Sequence, residues 1–463
     1  MANSTVSESA ATTEKMQWIK LLSNQRPDGR DPSRHATRSS FEQDYDRIIF
    51  SYPFRRLQDK TQVFPMPKED FVHSRLTHSL EVSSVARSLG KRVGETLEQR
   101  HQKLVLQGFS QHNIGAIVAA AALAHDLGNP PFGHCGETAI SDFFKTHPMG
   151  EEIRKRCTAE EWQDLTNFEG NAQGYRILNT AGGDGLKLTF ATLAAFSKYP
   201  CQSHLHTRDE SKAAQKKYGF FQAEKEIFSQ MAKETGMITV AKSESCTSWQ
   251  RHPLTFLVEA ADDICYHLID LEDGCRLGLV TYEKTRDLIA PILGKAYQPE
   301  KLNKFSSEEE KIGVLRAMAI GQLIKECSDV FLEEEEAILE GNYHTALTDA
   351  IPASRFLSEI KKISIEKIYR SQVVLEREMA GFEILGGLLE QFVIAGFYKQ
   401  LAPEKFTARH KSALRLLPAQ YQPAKEDSAY QLTLKCLDFV SGLTDGHAVN
   451  LFRKIKGSIL AEF

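Results

Sequence analysis

Apolar residues recur along most of this chain at the three- and four-residue spacing of helices that are buried on one face. The stretch 114–124 contains only apolar residues and one glycine, and it predicts a helix packed on all sides. A second apolar helix is predicted over 254–274. From 280 to 463 the pattern is again helical, with breaks at prolines and no convincing strand alternation. The chain is therefore predicted to be all-α.

Changes in polarity divide the 463 residues into three predicted regions. Residues 1–40 are rich in polar and loop-forming residues, and they predict a flexible, basic N-terminal segment. Residues 41–290 contain the two apolar helices and predict the functional core, with a polar excursion at about 201–250. Residues 291–463 predict an additional C-terminal helical region.

Four arginines lie among prolines, glycine and serines in the N-terminal segment: Arg26, Arg30, Arg34 and Arg38. A loop of this kind could contact a phosphate backbone or a neighbouring subunit. A loop that is merely solvated is the simpler alternative.

The overall composition sets limits on partners and location. The formal net charge of -4 provides no basic field over the whole surface, which favours a small substrate over a polyanion. The eight cysteines are scattered and form no C-x-x-C pair, as expected of reduced thiols. No uninterrupted apolar run approaches the roughly 20 residues that span a bilayer. We therefore expect a soluble cytoplasmic protein with no membrane partner.

A polar pair directly follows the apolar helix over 114–124. His125 and Asp126 stand at its end, and the glycine and two prolines within 128–131 prevent the helix from continuing. Burying a bare imidazole beside a carboxylate costs several kcal/mol unless the two are paired or bind a metal. We therefore expect a metal centre at this helix end.

Two further predicted helices carry side chains that could reach the same ion. The helix over 71–93 places Arg75 and His78 on a shared face. In the helix over 254–274, Asp262 lies among apolar residues and requires a partner. The candidate ligands are His78, His125, Asp126 and Asp262. This mixed nitrogen and oxygen set suits Mn²⁺, Mg²⁺, Co²⁺, Fe²⁺ or Zn²⁺, and the sequence does not choose among these ions.

Side chains near the candidate ligands could supply the remaining chemistry. Tyr266 and Asp270 follow Asp262 at four-residue intervals and share its helix face. His134 and Glu137 are three residues apart, so a helical turn would bring them together. Glu137 could then hold His134 in one tautomer and favour its protonated form. His134 is therefore a candidate general acid or base.

The polar excursion contains one other candidate metal site. Cys201, His204 and His206 lie close together in the sequence. Because no cluster of further ligands lies nearby, isolated polar side chains are the more ordinary interpretation.

Several motifs resemble the HD-domain superfamily, and specifically its dGTP triphosphohydrolase branch. They occur in family order as RRL at 55–57, KTQVFP at 60–65, RLTHSLEV at 75–82, HDLGNPPFGH at 125–134, NFEGNAQ at 167–173, ATLAAFSKYP at 191–200 and EAADD at 259–263. The resemblance covers roughly residues 40 to 275 and implies an HD-domain helical core within 41–290. Residues 439–445 also resemble the closing helix of the family, but Gly446 and His447 replace its usual Arg and Tyr.

The resemblance implies metal-dependent hydrolysis of dGTP, or of other dNTPs, to the deoxynucleoside and inorganic triphosphate. It implies His78, His125, Asp126 and Asp262 as metal ligands, with Asp263 as a local alternative to Asp262. The catalytic pair predicted from its spacing, His134 and Glu137, lies beside them in the sequence. The implied substrate-binding residues are Gln62 at the sugar 3′-hydroxyl, Arg75 at the α-phosphate, Lys198, Tyr199 and Lys217 at the triphosphate, and Tyr266 with Asp270 near the sugar.

The resemblance also bears on mechanism and partners. Water or hydroxide would attack the α-phosphorus, and His134 would act as acid or base. No G-x-x-x-x-G-K-[ST] loop is present, in keeping with phosphate recognition by side chains and metal. A homo-oligomer, such as a hexamer, and nucleotide or single-stranded DNA effectors are further implications. The alternatives are another HD-type phosphohydrolase, acting on a monophosphate, cyclic dinucleotide or alarmone, and a catalytically silent nucleotide sensor or nucleic-acid-binding protein.

Overall fold

Helices form nearly all of the regular structure in the computed structural model, which describes residues 15–29, 37–62, 73–180, 183, 185–204, 213–242, 247–369 and 372–458. The α-helices of the first half are α1 Trp18–Leu21, α2 Ser40–Ile49, α3 Tyr52–Arg56, α4 Arg75–Arg100, α5 Gln102–Leu106, α6 Gln111–Ala124, α7 Gly133–Thr146, α8 Pro148–Arg154, α9 Ala159–Thr166, α10 Gly170–Thr180, α11 Phe190–Phe196 and α12 Lys225–Thr235. Those of the second half are α13 Pro253–Arg276, α14 Tyr282–Leu293, α15 Pro299–Leu302, α16 Glu308–Glu333, α17 Glu335–Leu339, α18 Leu347–Ala350, α19 Ser354–Ser364, α20 Gln372–Leu401, α21 Ala408–Arg415, α22 Ala429–Ser441 and α23 Asp445–Ile455.

Two short strands lie within the polar excursion. They are β1 Thr239–Lys242 and β2 Thr247–Trp249, which pair in an antiparallel sheet. Because this sheet is small and every other long element is helical, the predicted all-α fold class is confirmed.

The first hydrophobic core surrounds α6. Every residue of 114–124 except Ala116 is buried, so the prediction of a helix packed on all sides is confirmed. Two glycines let α4 lie close along α6, because a Cβ on Gly90 would come within 2.9 Å of the Gly115 Cα. Helices α2, α11 and α13 also pack against α6. The end of α6 is therefore held within the most densely covered part of the fold.

A second hydrophobic core joins C-terminal helices to the middle of the chain. Helix α20 packs against α7 and α22. Leu388 and Phe392 of α20 are fully buried in the same apolar cluster as Phe143 and Phe144 of α7. Helices α14, α16 and α19 instead contribute to the first core. The predicted C-terminal region thus contributes helices to both cores. Its boundary near 290 stays a prediction.

Part of α20 is long and apolar enough, by length and composition alone, to cross a membrane. The segment 379–401 has a mean hydropathy of 1.4, and half of its apolar window is buried inside the protein. A criterion based on uninterrupted apolar runs missed this segment because Glu383 and Glu390 interrupt it. Its buried side belongs to the second hydrophobic core.

The N-terminal arginines do not share one environment. Arg26 is buried, and its guanidinium donates to Asp44 at 2.6 Å and to the Ser40 carbonyl at 2.9 Å. Arg38 is exposed and pairs with Asp46 at 2.6 Å. Arg30 and Arg34 lie outside the described residues. Arg26 therefore anchors the chain internally, and the expectation of a free basic loop was wrong at this position.

His252 caps α13, the helix that carries Asp262. Its Nδ1 accepts from the Leu254 backbone N–H at 3.2 Å, and its Nε2 donates to the Leu21 carbonyl at 3.0 Å. The first role needs an unprotonated ring nitrogen and the second a protonated one, so the ring must be neutral. Burial lowers the pKa of His252 to about 4, and the bond to Leu21 opposes this only in part.

We predict that His252 makes the protein less stable in mild acid. Because the pKa is near 4 in the folded protein and 6.5 ordinarily, the unfolded chain binds more protons between these values, and stability falls as pH falls through this window. The Asn side chain of H252N can still cap Leu254 but does not titrate. Between pH 7 and pH 5, H252N should therefore lose about 2 kcal/mol less unfolding free energy than the unmodified protein.

Urea unfolding followed by circular dichroism at the two pH values measures this difference. The exposed His112 of α6 provides the control, and H112N should keep the pH dependence of the unmodified protein. Equal pH dependence in H252N and the unmodified protein would contradict the prediction.

Candidate functional site

Three of the predicted ligands meet at the junction of α4, α6 and α13. His78 lies on α4, His125 immediately follows α6, and Asp262 lies on α13. The Asp262 Oδ1 is 3.3 Å from the His78 Nε2 and 3.5 Å from the His125 Nε2. One potential ligand atom from each residue lies within 4.8 Å of the others. Small inward adjustments would let these atoms share one divalent ion, whose ligand bonds are about 2 Å long.

Backbone contacts prepare His125 to act as a ligand. Its Nδ1 lies 2.7 Å from the Ala122 carbonyl oxygen, which can only accept, so Nδ1 carries the proton. Nε2 is therefore the ring nitrogen that faces Asp262. A second nitrogen fixed in this way is the usual support of a metal-bound histidine. The His78 Nδ1, in contrast, is buried and has no hydrogen-bond partner among the described residues.

Asp126 lies beside this cluster and has other partners. Its Oδ1 is 3.6 Å from the His125 Nε2 and accepts from the Asn129 amide at 2.5 Å. Its Oδ2 accepts from Arg75 at 2.8 Å. The carboxylate is thus close enough to join the three ligands after a small movement, while Arg75 and Asn129 hold it in place.

The structure also separates Asp262 from Asp263. The Asp263 carboxylate turns away from the imidazoles and accepts from the Thr348 hydroxyl at 2.7 Å. Burial raises the pKa of Asp263 to about 6, although Lys198 opposes the shift. Asp262 is therefore the member of the pair that faces the two histidines.

The electrostatics of the cluster favour positive charge between its members. Burial raises the pKa of Asp262, but His125 and His78 outweigh burial and hold it well below its ordinary range. Burial lowers the pKa of His78, and its hydrogen bond to Asp262 more than compensates, so that pKa is raised. A bound cation would satisfy the same field that here favours protonation of His78. The donor set thus fits a divalent metal.

The cluster opens into a cavity of about 580 Å³, a size typical of small-molecule sites. Eleven predicted site residues line it: Gln62, Arg75, His78, His125, Asp126, His134, Lys198, Tyr199, Lys217, Asp262 and Tyr266. Glu137 and Asp270 are not in the lining, but each bonds to a residue that is. Among the predicted residues, these two therefore contact the cavity lining without belonging to it.

Carboxylates hold the cavity lysines in place. The Lys198 Nζ lies 3.3 Å from Glu259, which also accepts from Arg251 at 2.8 Å. The Lys217 Nζ donates to Glu169 at 3.0 Å. Burial lowers the pKa of both lysines, but nearby carboxylates outweigh it and raise the pKa of each, so both remain charged. These carboxylates are chiefly Glu259 for Lys198, and Glu137 followed by Glu169 for Lys217. The cavity therefore presents fixed positive charge.

His134 and Glu137 occupy the first turn of α7, as predicted from their spacing. The His134 Nδ1 lies 2.7 Å from the Glu137 Oε2, and the Glu137 Oε1 accepts from the Gly170 N–H at 2.7 Å. Burial raises the pKa of Glu137, but His134 and Lys217 outweigh it and lower that pKa. An ionised Glu137 thus holds a proton on the His134 Nδ1 and leaves Nε2 as the nitrogen available to other partners.

Asp270 is not among the residues that line the cavity, and its expected contact with substrate stays a prediction. It is buried below Tyr369, whose hydroxyl donates to the Asp270 carboxylate at 2.6 Å. Tyr369 in turn stacks on Tyr266, with ring centroids 5.5 Å apart. The Tyr266 and Tyr369 rings both line the cavity.

Sequence reasoning missed Tyr369 and Glu259. Tyr369 ends a single π-helical turn over 365–369, a feature with no recognisable motif. Glu259 is the first residue of the EAADD motif, but the motif alone did not indicate a role for it. Its position three residues before Asp262 on an apolar helix was the available signal, because a buried carboxylate needs partners.

The second candidate metal site gains no support. The Cys201 thiol is buried and lies 3.1 Å from the Lys217 carbonyl oxygen. His206 lies outside the described residues. Of the residues described, only His78, His125 and Asp262 form a cluster of three potential ligands.

Comparison with known proteins agrees with this geometry. The HD domain family matches residues 75–166, which contain His78, His125 and Asp126. A deoxyguanosinetriphosphate triphosphohydrolase-like protein of Synechocystis is 41% identical over 96% of this chain and 99% of its own length. A protein of the same description from Listeria monocytogenes is 35% identical over 96% of this chain and 100% of its own. The deoxyguanosinetriphosphate triphosphohydrolase of Yersinia pseudotuberculosis is 29% identical over 95% and 99%.

The fold and the site thus define an HD-domain protein of the metal-dependent phosphohydrolase class. The near-complete match to relatives more than 30% identical goes further, and the chain belongs to the deoxyguanosinetriphosphate triphosphohydrolase-like family.

We predict that Asp262, and not Asp263, is required to bind a divalent metal. In D262N the oxygen nearest both imidazoles loses its charge, so Mn²⁺ affinity should fall by about 100-fold or more. D263N is the matched control because it removes a neighbouring carboxylate that bonds to Thr348 instead. Electron paramagnetic resonance of free Mn²⁺ in a titration measures both affinities. Similar losses in the two variants would contradict this assignment.

Proposed function

We propose that this protein hydrolyses deoxynucleoside triphosphates, dGTP among them, to the deoxynucleoside and inorganic triphosphate. One observation supports this most directly: a cluster of potential metal ligands and three cationic side chains line the same cavity. The cations are Arg75, Lys198 and Lys217. A triphosphate is the small ligand that such a concentration of positive charge suits. The names of the relatives agree with this substrate class.

The proposed metal ligands are His78, His125, Asp126 and Asp262. A divalent ion held there would neutralise charge on the oxygens of the phosphate that reacts and lower the pKa of bound water. Arg75 lies beside it through its bond to Asp126, so it would contact the same phosphate. The identity of the ion among Mn²⁺, Mg²⁺, Co²⁺, Fe²⁺ and Zn²⁺ is not part of the proposal, because the donor set accepts several.

The remaining phosphates would lie toward Lys198, Tyr199 and Lys217. Both lysines are salt-bridged to carboxylates, yet both also line the cavity. A triphosphate would share these lysines with Glu259 and Glu169. The ion pairs would then position the lysines before substrate binds, which reduces the entropy lost on binding.

The sugar is assigned to the side of the cavity lined by Gln62, Tyr266 and Tyr369. The Gln62 Oε1 is buried, lines this cavity and has no hydrogen-bond partner among the described residues. A ligand hydroxyl would satisfy it. The Tyr266 and Tyr369 rings would pack against the deoxyribose and leave little space for a 2′-hydroxyl. Asp270 acts through Tyr369, because its carboxylate accepts a hydrogen bond from the Tyr369 hydroxyl.

His134 is assigned the proton transfer. Water attacks the α-phosphorus, and the bond from that phosphorus to the 5′-oxygen breaks, which leaves inorganic triphosphate and the deoxynucleoside. His134 either donates a proton to the leaving 5′-oxygen or removes one from the attacking water. Glu137 stabilises the protonated ring through its 2.7 Å contact with Nδ1 in both cases.

Assembly and regulation rest on the family resemblance alone, whereas the location rests on the scattered cysteines, which form no C-x-x-C pair. We include in the proposal a cytoplasmic location and a homo-oligomer such as a hexamer. We also include control by nucleotides or single-stranded DNA as effectors.

We predict that the purified protein converts dGTP to deoxyguanosine and tripolyphosphate in equal amounts when Mn²⁺, Mg²⁺ or Co²⁺ is present. The four dNTPs and GTP should be compared, with products separated by anion-exchange chromatography. GTP should react more slowly than dGTP because of the packed tyrosines. Release of pyrophosphate would instead indicate another HD-type phosphohydrolase, and absence of turnover with every metal would favour a nucleotide sensor.

We predict that H134A loses about 100-fold or more of kcat, the usual contribution of a positioned acid or base. Mn²⁺ affinity should not change, because His134 is not among the clustered ligands. H112A, which removes an exposed histidine of α6, should retain full activity. Unchanged turnover in H134A would exclude His134 from the mechanism.

A further inference from the structure

One buried carboxylate from the C-terminal end of the chain contacts both segments that lead into the cavity. Asp445 is the first residue of α23 and is almost fully buried. Its Oδ2 accepts from the Thr61 backbone N–H at 3.2 Å and from the Thr61 hydroxyl. Its Oδ1 accepts from the Phe132 backbone N–H at 3.1 Å. Asp445 thus joins three parts of the chain that are far apart in sequence.

The two donors stand directly before residues of the proposed mechanism. Thr61 precedes Gln62, and Phe132 is followed by Gly133 and His134. Phe132 has a φ of 66°, a left-handed conformation that is unfavourable for a bulky residue. Such a conformation persists only where surrounding contacts determine it. The bond to Asp445 is one of those contacts.

Neighbouring contacts fix the same junction. The Lys60 Nζ donates to the Asn129 carbonyl at 2.6 Å and to the Ser441 carbonyl at 2.9 Å. Arg56 donates to the Gly442 carbonyl at 2.6 Å. The chain around Lys60 and the turn before His134 are therefore both tied to the connection between α22 and α23. Among these contacts, only Asp445 binds both segments through side-chain oxygens, so substitution can test it selectively.

We propose that Asp445 is a positioning residue: its carboxylate sets the backbone before Gln62 and before His134, and so aligns the sugar contact with the proton-transfer group. The C-terminal helix α23 thereby contributes to activity without lining the cavity. The part of this proposal that concerns catalysis rests on the proposed dNTP hydrolysis, whereas the part that concerns the backbone does not.

The test replaces Asp445 with Asn, which keeps the size but turns one acceptor oxygen into a donor amide. One of the two backbone N–H groups then loses its acceptor. D427N is the matched control, since Asp427 also lies in the C-terminal region and accepts from a backbone N–H, that of Ala424, at 2.7 Å. Asp427 makes its other side-chain contact with Lys435.

Hydrogen exchange of peptides that contain Thr61 and Phe132 provides the readout that does not depend on substrate. At least one of these amides should exchange about tenfold faster or more in D445N and should be unchanged in D427N. Mn²⁺ affinity should be the same in both variants, because Asp445 touches none of the clustered ligands. Unchanged exchange at both amides in D445N would overturn the proposal.

Kinetics provide the second readout. For D445N we expect kcat to fall and KM to rise, with a loss of about 10- to 100-fold in kcat/KM, as for a displaced catalytic group. A variant that only lowered the folded fraction would reduce kcat and leave KM unchanged, and this result would contradict a positioning role. Absence of dNTP hydrolysis in the unmodified protein would refute the proposed function, and the exchange measurement would still decide the backbone role.

A milder variant covers the case in which D445N does not fold. T61V removes only the hydroxyl bond and leaves both backbone bonds to Asp445. KM should then rise by about threefold to tenfold through Gln62, with kcat and Phe132 exchange unchanged. An equal KM in T61V and the unmodified protein would count against the proposal.

Discussion

The position of the Asp262 carboxylate between two imidazoles is the constraint on which the rest of the site depends. A carboxylate on the apolar helix α13 would be costly to desolvate alone, and His78 and His125 provide the partners that make it tolerable. Those partners come from α4 and α6, so the three helices must meet at one point. The close glycine contact between α4 and α6 fixes two of them, and the buried α6 determines where His125 emerges.

The same rule extends outward from the cluster, where several charged side chains have an opposite charge beside them. Arg75 pairs with Asp126, Arg251 and Lys198 share Glu259, and Lys217 pairs with Glu169. Breaking such a pair leaves an uncompensated charge, which costs more than the pair contributes. These pairs therefore fix the positions of cavity residues even though each adds little net stability.

Sequence reasoning succeeded where one local pattern determined the outcome. The apolar stretch 114–124 could only be a buried helix, and the spacing of His134 and Glu137 required only one helical turn. It failed where the partner came from a distant segment. Arg26 was read as part of a solvated loop because nothing near it in sequence indicated Asp44. The contact between Asp270 and Tyr369 was likewise not predictable, because Tyr369 lies on a π-helical turn without a motif.

The two hydrophobic cores divide the site between them. Helices α4, α6 and α13 carry His78, His125 and Asp262 and belong to the first core, whereas α7 carries His134 and Glu137 and packs with α20 in the second. The potential metal ligands and the proton-transfer pair are therefore aligned only if the two cores keep a fixed position relative to each other. Only eight residues separate Asp126 from Cys135, and they include a left-handed Phe132, so this connection leaves little freedom between them. Lys60, which bonds to the Asn129 and Ser441 carbonyls, and Asp445, which accepts from the Phe132 N–H, complete that restraint.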